Sequence, residues 1–140
     1  GFATRSDVAG SLVYLDSSSL VKLVVHEDGT DALRAFLETH PAAVSSVLAV
    51  AEVRRAVARV SPRRSLADRA RLVLDGVALL AVDLVVLEVA ARLGPPALRT
   101  LDAIHVASAL SLGDDLLAFV THDDRQAEAA RSARLPVVRP

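Results

Sequence analysis

The 140-residue chain contains no cysteine, which excludes disulfides, thiolate metal sites and thiol catalysis. Any metal must then be held by oxygen or imidazole. Aromatic residues make up only 3% of the chain, too few to build the stacking platforms of single-strand binders. Long apolar runs are also missing: the longest, Val77 to Val82, falls far short of the about 20 residues that span a bilayer. The N-terminus lacks the apolar stretch of a secretion signal, so a soluble, cytoplasmic protein with no membrane partner is expected. Charge of one sign is absent too. Sixteen basic against 17 acidic side chains leave a net charge of -1, which argues against binding polyanions by bulk charge.

What is present points to one domain with a sizeable core. The composition is 52% hydrophobic, which excludes disorder, and chains of this length bury about 68 to 70% of their unfolded surface. Residues 1–10 are polar and aperiodic and are expected to be a flexible N-terminal extension, leaving 11–140 as the domain. Leu12 to Leu15 has strand character, and Asp16 with the serines after it offers caps for a helix through Leu20 to Val25. Thr30-Asp31 opens a helix that Pro41 closes. Ala42 to Val44 is a weak second strand. Ser45 or Ser46 caps a helix whose Val47, Val50, Val53, Val57 and Val60 recur every three or four residues, the spacing of a core stripe. An arginine-rich helix follows to Asp75, then a strand-like run from Val77 to Val82 and a helix capped by Asp83. After the Gly94-Pro95-Pro96 loop, Thr100 is expected to cap a helix from Leu101 to Leu112. Leu116 to Val120 reads as a strand, Asp123 to Ala133 as the last helix, and Pro136 to Val138 as an edge strand.

Apolar strands alternating with helices predict an α/β fold in three layers, with a central, mainly parallel sheet covered on both faces. Ligands of such sheets sit beyond the carboxyl ends of the strands, near a topological switch point. Asp16 immediately follows the first strand. Asp123 comes just past the strand ending at Val120. Asp102 lies in the first turn of the helix after the Gly-Pro-Pro loop, and Glu52 lies in the valine-striped helix. Each acid also has a plain role: Asp16 and Asp123 as helix caps, Asp102 as a favourable charge at a helix N-terminus, Glu52 as a partner of Arg55 or Arg59. If the four converged within roughly 6 Å, their repulsion at an effective dielectric of about 20 would be about 3 kcal/mol per pair. A divalent cation relieves it, and hard carboxylate oxygens suit Mg²⁺ or Mn²⁺.

Four blocks, Leu15 to Leu23, Ala51 to Ala56, Leu101 to Ala109 and Val120 to Arg125, occur in the order found in the PIN-domain family. From about Val13 to Val138 the chain resembles that family, and most closely its VapC toxins from type II toxin–antitoxin modules. Ser17 and Ser19 depart mildly from the family pattern, standing where Thr and Ala are often seen. The resemblance implies a PIN-like fold in which Asp16, Glu52, Asp102 and Asp123 bind Mg²⁺ or Mn²⁺, with Ser18 and Thr121 orienting the carboxylates. Asp123 and Asp124 both fit the fourth position, and the Thr-x-Asp pattern favours Asp123.

The same resemblance implies an endoribonuclease that hydrolyses RNA with metal-activated water and forms no covalent intermediate. Asp16 and Asp102 would ligate directly. Glu52 could ligate or orient the water, and Asp123 could hold a second ion or act from outside. A VapB-like antitoxin that blocks the acidic site, and a homodimer, are implied in the same way. The alternative is a PIN-like interaction or RNA-binding module without significant catalysis. Seven arginines between Arg54 and Arg71, among them Arg54, Arg55 and Arg59, either track RNA phosphates or solvate two helices. Lys22, the only lysine beside 15 arginines, is near enough to Asp16 in sequence for a phosphate or carboxylate contact. His105, three residues after Asp102 on the same helical face, either touches the acidic cluster or, the reading favoured by pattern, is a hydrogen-bonded structural histidine. His26, His40 and His122 have no metal-ligand spacing. A receiver domain needs a lysine after a late strand, haloacid-type phosphatases need a second Asp where Ser18 stands, and no phosphate-cradling glycine loop occurs.

Overall fold

A computed structural model describes residues 10–140, so the expected N-terminal extension lies, apart from the exposed turn residue Gly10, outside the described residues. Five strands form one sheet: β1 (Leu12–Leu15), β2 (Ala43–Ser46), β3 (Ala78–Leu80), β4 (Leu116–Val120) and β5 (Val137–Val138). Every pairing is parallel and the order is β3-β2-β1-β4-β5. Between the strands run α1 (Ser17–Val24), α2 (Thr30–Thr39), α3 (Leu48–Val60), α4 (Arg64–Asp75), α5 (Leu84–Arg92), α6 (Thr100–Leu110) and α7 (Asp124–Ser132).

Strand alternation divides the core in two. Val13 and Leu15 of β1, with Ala118 and Val120 of β4, face Leu20, Val24, Leu33, Val53, Val57 and Leu74 from α1 to α4. Tyr14 and Phe119, between them in sequence, face the other way onto Val106 and Ala109 of α6 and Ala129 and Ala130 of α7. Side chains two residues apart share a face of a strand, so both layers of helices are specified by the same nine residues. Helix α5 packs on the far side of α6 through Val86, Ala90, Ala103, Ile104 and Ala107. Because α6 is covered by the sheet and by α5, all residues from Ala103 to Ala109 are buried, and a polar side chain on it must find a partner inside.

The chain steps outward from β1 through β2 to β3, then crosses back to lay β4 on the other side of β1. That reversal puts the switch point between the carboxyl ends of β1 and β4, where adjacent crossovers leave in opposite directions and open a crevice. Asp16 and the segment after Val120 sit there.

Several local expectations need correction. Thr100 does not cap α6: Arg99 holds the N-cap position and makes no side-chain cap bond. The valine stripe is only half core. Val53 and Val57 are buried, whereas Val47, Val50 and Val60 are exposed, because α4 covers only one side of α3. Ser45 and Ser46 belong to β2, and the N-cap of α3 is Val47, although Ser46 Oγ still accepts from the Leu48 amide at 3.2 Å. Asp83 and Asp123 do cap, accepting from Val86 and from Arg125 and Gln126 respectively. Gly29 caps α2 with φ of 91°, a left-handed backbone that favours glycine.

Candidate functional site

The sequence places Asp16 at the end of β1, and the fold buries it to 3% exposure. Its carboxylate is held on both oxygens. Ser18 Oγ and the Ser19 amide donate to Oδ1 at 2.7 and 3.0 Å, and Thr121 Oγ1 donates to Oδ2 at 2.5 Å. The two hydroxyls are themselves oriented: Ser18 Oγ accepts from the His122 amide at 3.0 Å and Thr121 Oγ1 from the Asp123 amide at 3.1 Å. A hydroxyl has one proton, so accepting from the backbone aims that proton at Asp16. Ser18 and Thr121, 103 residues apart, thereby stitch β1 to β4.

A second chain of bonds starts at the next residue. Ser17 Oγ donates to Glu52 Oε1 at 2.8 Å, and His105 Nε2 lies 2.7 Å from the same oxygen. The other ring nitrogen meets the Tyr14 hydroxyl at 2.7 Å. Burial, with the Asp16 and Glu52 charges adding to it and Ser108 and Ser45 opposing, pushes the Tyr14 phenol well above its usual range. It therefore remains a donor. Burial alone would raise Glu52, but the bond from His105, the positive charge that ring can carry and the Ser17 hydroxyl outweigh it and hold the carboxyl below the usual range. An ionised carboxylate only accepts, so His105 Nε2 carries a proton and donates. Both donors hold the same oxygen of Glu52, from α1 and from α6.

Asp102 is different. Among the described residues nothing donates to its carboxylate. Burial first, then the Asp123 charge and, less, that of Asp16 hold it above the usual range, with His105 and Arg99 acting against them. Gln126 of α7 donates to the Asp102 backbone carbonyl at 3.3 Å and ties the two helices together. Asp123 is exposed and uses Oδ1 to cap α7. Its neighbour Asp124 is 93% exposed and pairs with Arg139 at 2.9 Å.

Asp102 thus feels the charges of Asp123 and Asp16, and Glu52 joins through Ser17, the serine that follows Asp16. Among the described residues, however, no three Asp, Glu or His side chains stand close enough to cage an ion as packed. The donors are unevenly shared: Asp16 accepts from two hydroxyls and one amide, Glu52 Oε1 from Ser17 and His105, and Asp123 Oδ1 from two amides of α7. Among the described residues, the carboxylate of Asp102 and the second oxygens of Glu52 and Asp123 take no hydrogen bond. An ion that keeps several waters and needs only one or two direct carboxylates fits such a set. Hard oxygen donors, with Asp102 raised by burial and by the charges of Asp123 and Asp16, match Mg²⁺ or Mn²⁺ and disfavour a soft metal.

The remaining candidates lie elsewhere. Lys22 turns from the acids to Glu27 Oε1 at 3.1 Å and the Asp28 carbonyl at 2.9 Å. Arg54 and Arg55 line a groove between α3 and α4, and Arg59 is an exposed residue of α3. His105 is buried and hydrogen-bonded, and it also touches the cluster, through Glu52. Tyr14 and Ser17 carry no sequence signal for their roles.

A family profile described as PIN domain matches residues 13–132. Ribonuclease VapC46 of Mycobacterium tuberculosis is 48% identical over 134 residues, covering 91% of this chain and 97% of the relative. Ribonuclease VapC35 from the same species is 40% identical over 133 residues, 92% and 97% of the two chains. Ribonuclease VapC47 is 38% identical over 124 residues, 86% and 90%. Among solved structures, that of PAE2754 from Pyrobaculum aerophilum superimposes with a TM-score of 0.60 at 21% identity, over 91% of this chain and 83% of that one, a likeness of fold. With the parallel sheet and the acids around its switch point, these matches show that the chain belongs to the PIN-domain family, in its VapC branch.

Proposed function

We propose that this protein is a metal-dependent endoribonuclease of the toxin type, hydrolysing RNA phosphodiester bonds with an activated water. The observation that carries the reading is Asp102, a half-buried carboxylate without a donor, raised by burial and by Asp123 and Asp16. Such a charge pattern is costly unless a cation balances it. Asp16, Glu52, Asp102 and Asp123 would hold Mg²⁺ or Mn²⁺, which when bound lowers the pKa of water and offsets charge on the phosphate. Ser18 and Thr121 keep Asp16 aimed at the crevice, while Ser17 and His105 keep Glu52 ionised and fixed in direction. The pairing of Asp124 with Arg139 supports Asp123 as the fourth acid.

The relatives' names support an RNA substrate, and a VapB-like antitoxin follows from the resemblance to VapC toxins. The α3–α4 groove has a volume of about 470 Å³, an apolar floor including Val57 and Ala70, and Arg54, Arg55 and Arg63 on its sides. That chemistry suits an acidic, amphipathic antitoxin segment better than a nucleic-acid backbone. A homodimer follows from the resemblance, and Leu84 and Val85 of α5, 69% and 68% exposed, offer apolar surface for it. Among the described residues no helix is long and apolar enough to cross a membrane, and we place the protein in the cytoplasm, where its substrate is.

The test is incubation with total cellular RNA and Mg²⁺ or Mn²⁺, with the new ends sequenced. Metal-dependent ends from wild type and none from Asp16→Asn are expected. Failure to cut under any metal, together with unchanged calorimetric Mg²⁺ binding in Asp102→Asn, would favour the interaction module.

A further inference from the structure

We propose that the RNA strand leaving the acidic crevice is held in the cleft between the loop before α6 and the start of α7, with Arg99 and Arg125 on its phosphates. This deepens the ribonuclease reading and rests on it. The cleft has a volume of about 370 Å³, within the range of about 300 to 1,000 Å³ typical of ligand sites. Asp102 forms part of its wall, so the cleft meets the acidic crevice at that residue. Pro95, Leu98 and Ala129 give it an apolar side, and Arg99 and Arg125 give it charge.

Both arginines are exposed, and among the described residues neither is in an ion pair, unlike Arg71 with Asp68 or Arg139 with Asp124. Arg125 even stands one turn before Glu128, which lines the same cleft, without forming a bridge to it. Two guanidiniums outside any ion pair, one from the loop before α6 and one from α7, suit a phosphate and the one after it, since guanidinium donors match phosphate geometry. The apolar side can take a ribose or base edge between them. Glu128 repels a phosphate close to it, which keeps the backbone on the arginine side. By contrast, no acid lines the larger α3–α4 groove, so a strand bound there has no direct path to the chemistry. The chain's net charge of -1 makes local placement of positive charge the way to bring a polyanion to an acidic crevice.

The test is equilibrium binding of a fluorescent single-stranded RNA of about 10 nucleotides (about five times the two phosphates proposed here) to the full chain in chelator, across a salt series, with cleavage in Mn²⁺ measured alongside. Each single-strand phosphate contact contributes about 0.7 to the slope of log affinity against log salt. Arg99→Gln and Arg125→Gln should each lower that slope by about 0.7 and weaken binding about fivefold at ~0.1 M salt relative to a 1 M reference. Arg99→Lys and Arg125→Lys should keep the slope, and Arg64→Gln should bind as wild type. Wild type that cuts and binds while both glutamine variants match it overturns this assignment and leaves the ribonuclease reading standing. So does loss of binding confined to Arg54→Gln or Arg55→Gln. Wild type that neither cuts nor binds overturns both.

Discussion

His105 Nε2 lies 2.7 Å from Glu52 Oε1, joining α6 to α3 across 53 residues of sequence. The ring is buried, its other nitrogen is taken by Tyr14, and Ser17 donates to the same carboxylate oxygen. His105 therefore acts on Glu52 as an outer partner does on a ligand, fixing its direction and its ionised state. Replacing it by Ala leaves the Tyr14 hydroxyl and Glu52 without their partner. A loss of about 1 to 3 kcal/mol in stability is expected from the unpaired buried groups, and of about 10- to 100-fold in cleavage. Urea melts and initial rates measure the two separately. Stability lost with rates unchanged would mean that His105 only holds the core.

The two half-buried acids should respond to pH with opposite signs. Asp102 has a raised folded-state value, so its contribution to stability is full below the ordinary carboxylate range and is lost as pH rises through the raised value. Asp102→Asn should therefore melt higher than wild type at neutral pH without divalent ions, and the gap should close below about pH 4. Glu52 has a lowered value: its stabilisation is full above the ordinary range and lost as pH falls through the lowered one. Glu52→Gln should melt lower at neutral pH. Calorimetric melts across pH check both, and a destabilised Asp102→Asn would remove the argument for unbalanced charge.

Asp123 and Asp124 can be told apart by substitution. Asp124 is solvent-exposed in a pair with Arg139, a contact worth about 0 to 1 kcal/mol. Asp124→Asn should cut RNA within about twofold of wild type, since distant surface changes move energies by about 0.5 kcal/mol or less. Asp123→Asn keeps a capping oxygen for α7 but loses charge beside Asp102, and should lose at least about tenfold in rate. The reverse ranking would reassign the fourth acid.

The hydroxyls around Asp16 offer a graded series. Ser18→Ala removes one donor and Thr121→Val another, and each frees a backbone amide that the hydroxyl satisfied. Each should slow cleavage about 10- to 100-fold, and Asp16→Asn should abolish it. Rates equal to wild type in both hydroxyl variants would show that Asp16 needs no orientation.

Leu20 is fully buried between α1 and β1. Leu20→Ala should cost about 2 to 5 kcal/mol in urea unfolding, the usual range for a truncated core leucine. A cost under about 1 kcal/mol would mean that this side of the sheet repacks around the lost volume.

The order of elements was legible because each leaves a local trace. Leu116 to Val120 is a strand at its expected bounds, and the Asp83 and Asp123 caps bond as residue type and position predict. Errors arose where a local pattern has two outcomes. A valine every third or fourth residue marks one face of α3, but whether Val47, Val50 and Val60 are covered depends on where α4 lies. Thr100 has a capping side chain, yet the loop delivers Arg99 into the cap position.

Sequence alone determined which acids precede or follow which strands, and so that Asp16 and Asp123 share one edge of a parallel sheet. It did so because apolar runs, caps and chain order are local or one-dimensional properties. Tertiary structure alone decided that Ser17 and His105, the latter backed by Tyr14, serve Glu52, and that Arg125 of α7 reaches the same cleft as Asp102 of α6. Those are distances between residues far apart in the chain, fixed by how helices pack on the two faces of the sheet, and no spacing along the sequence encodes them.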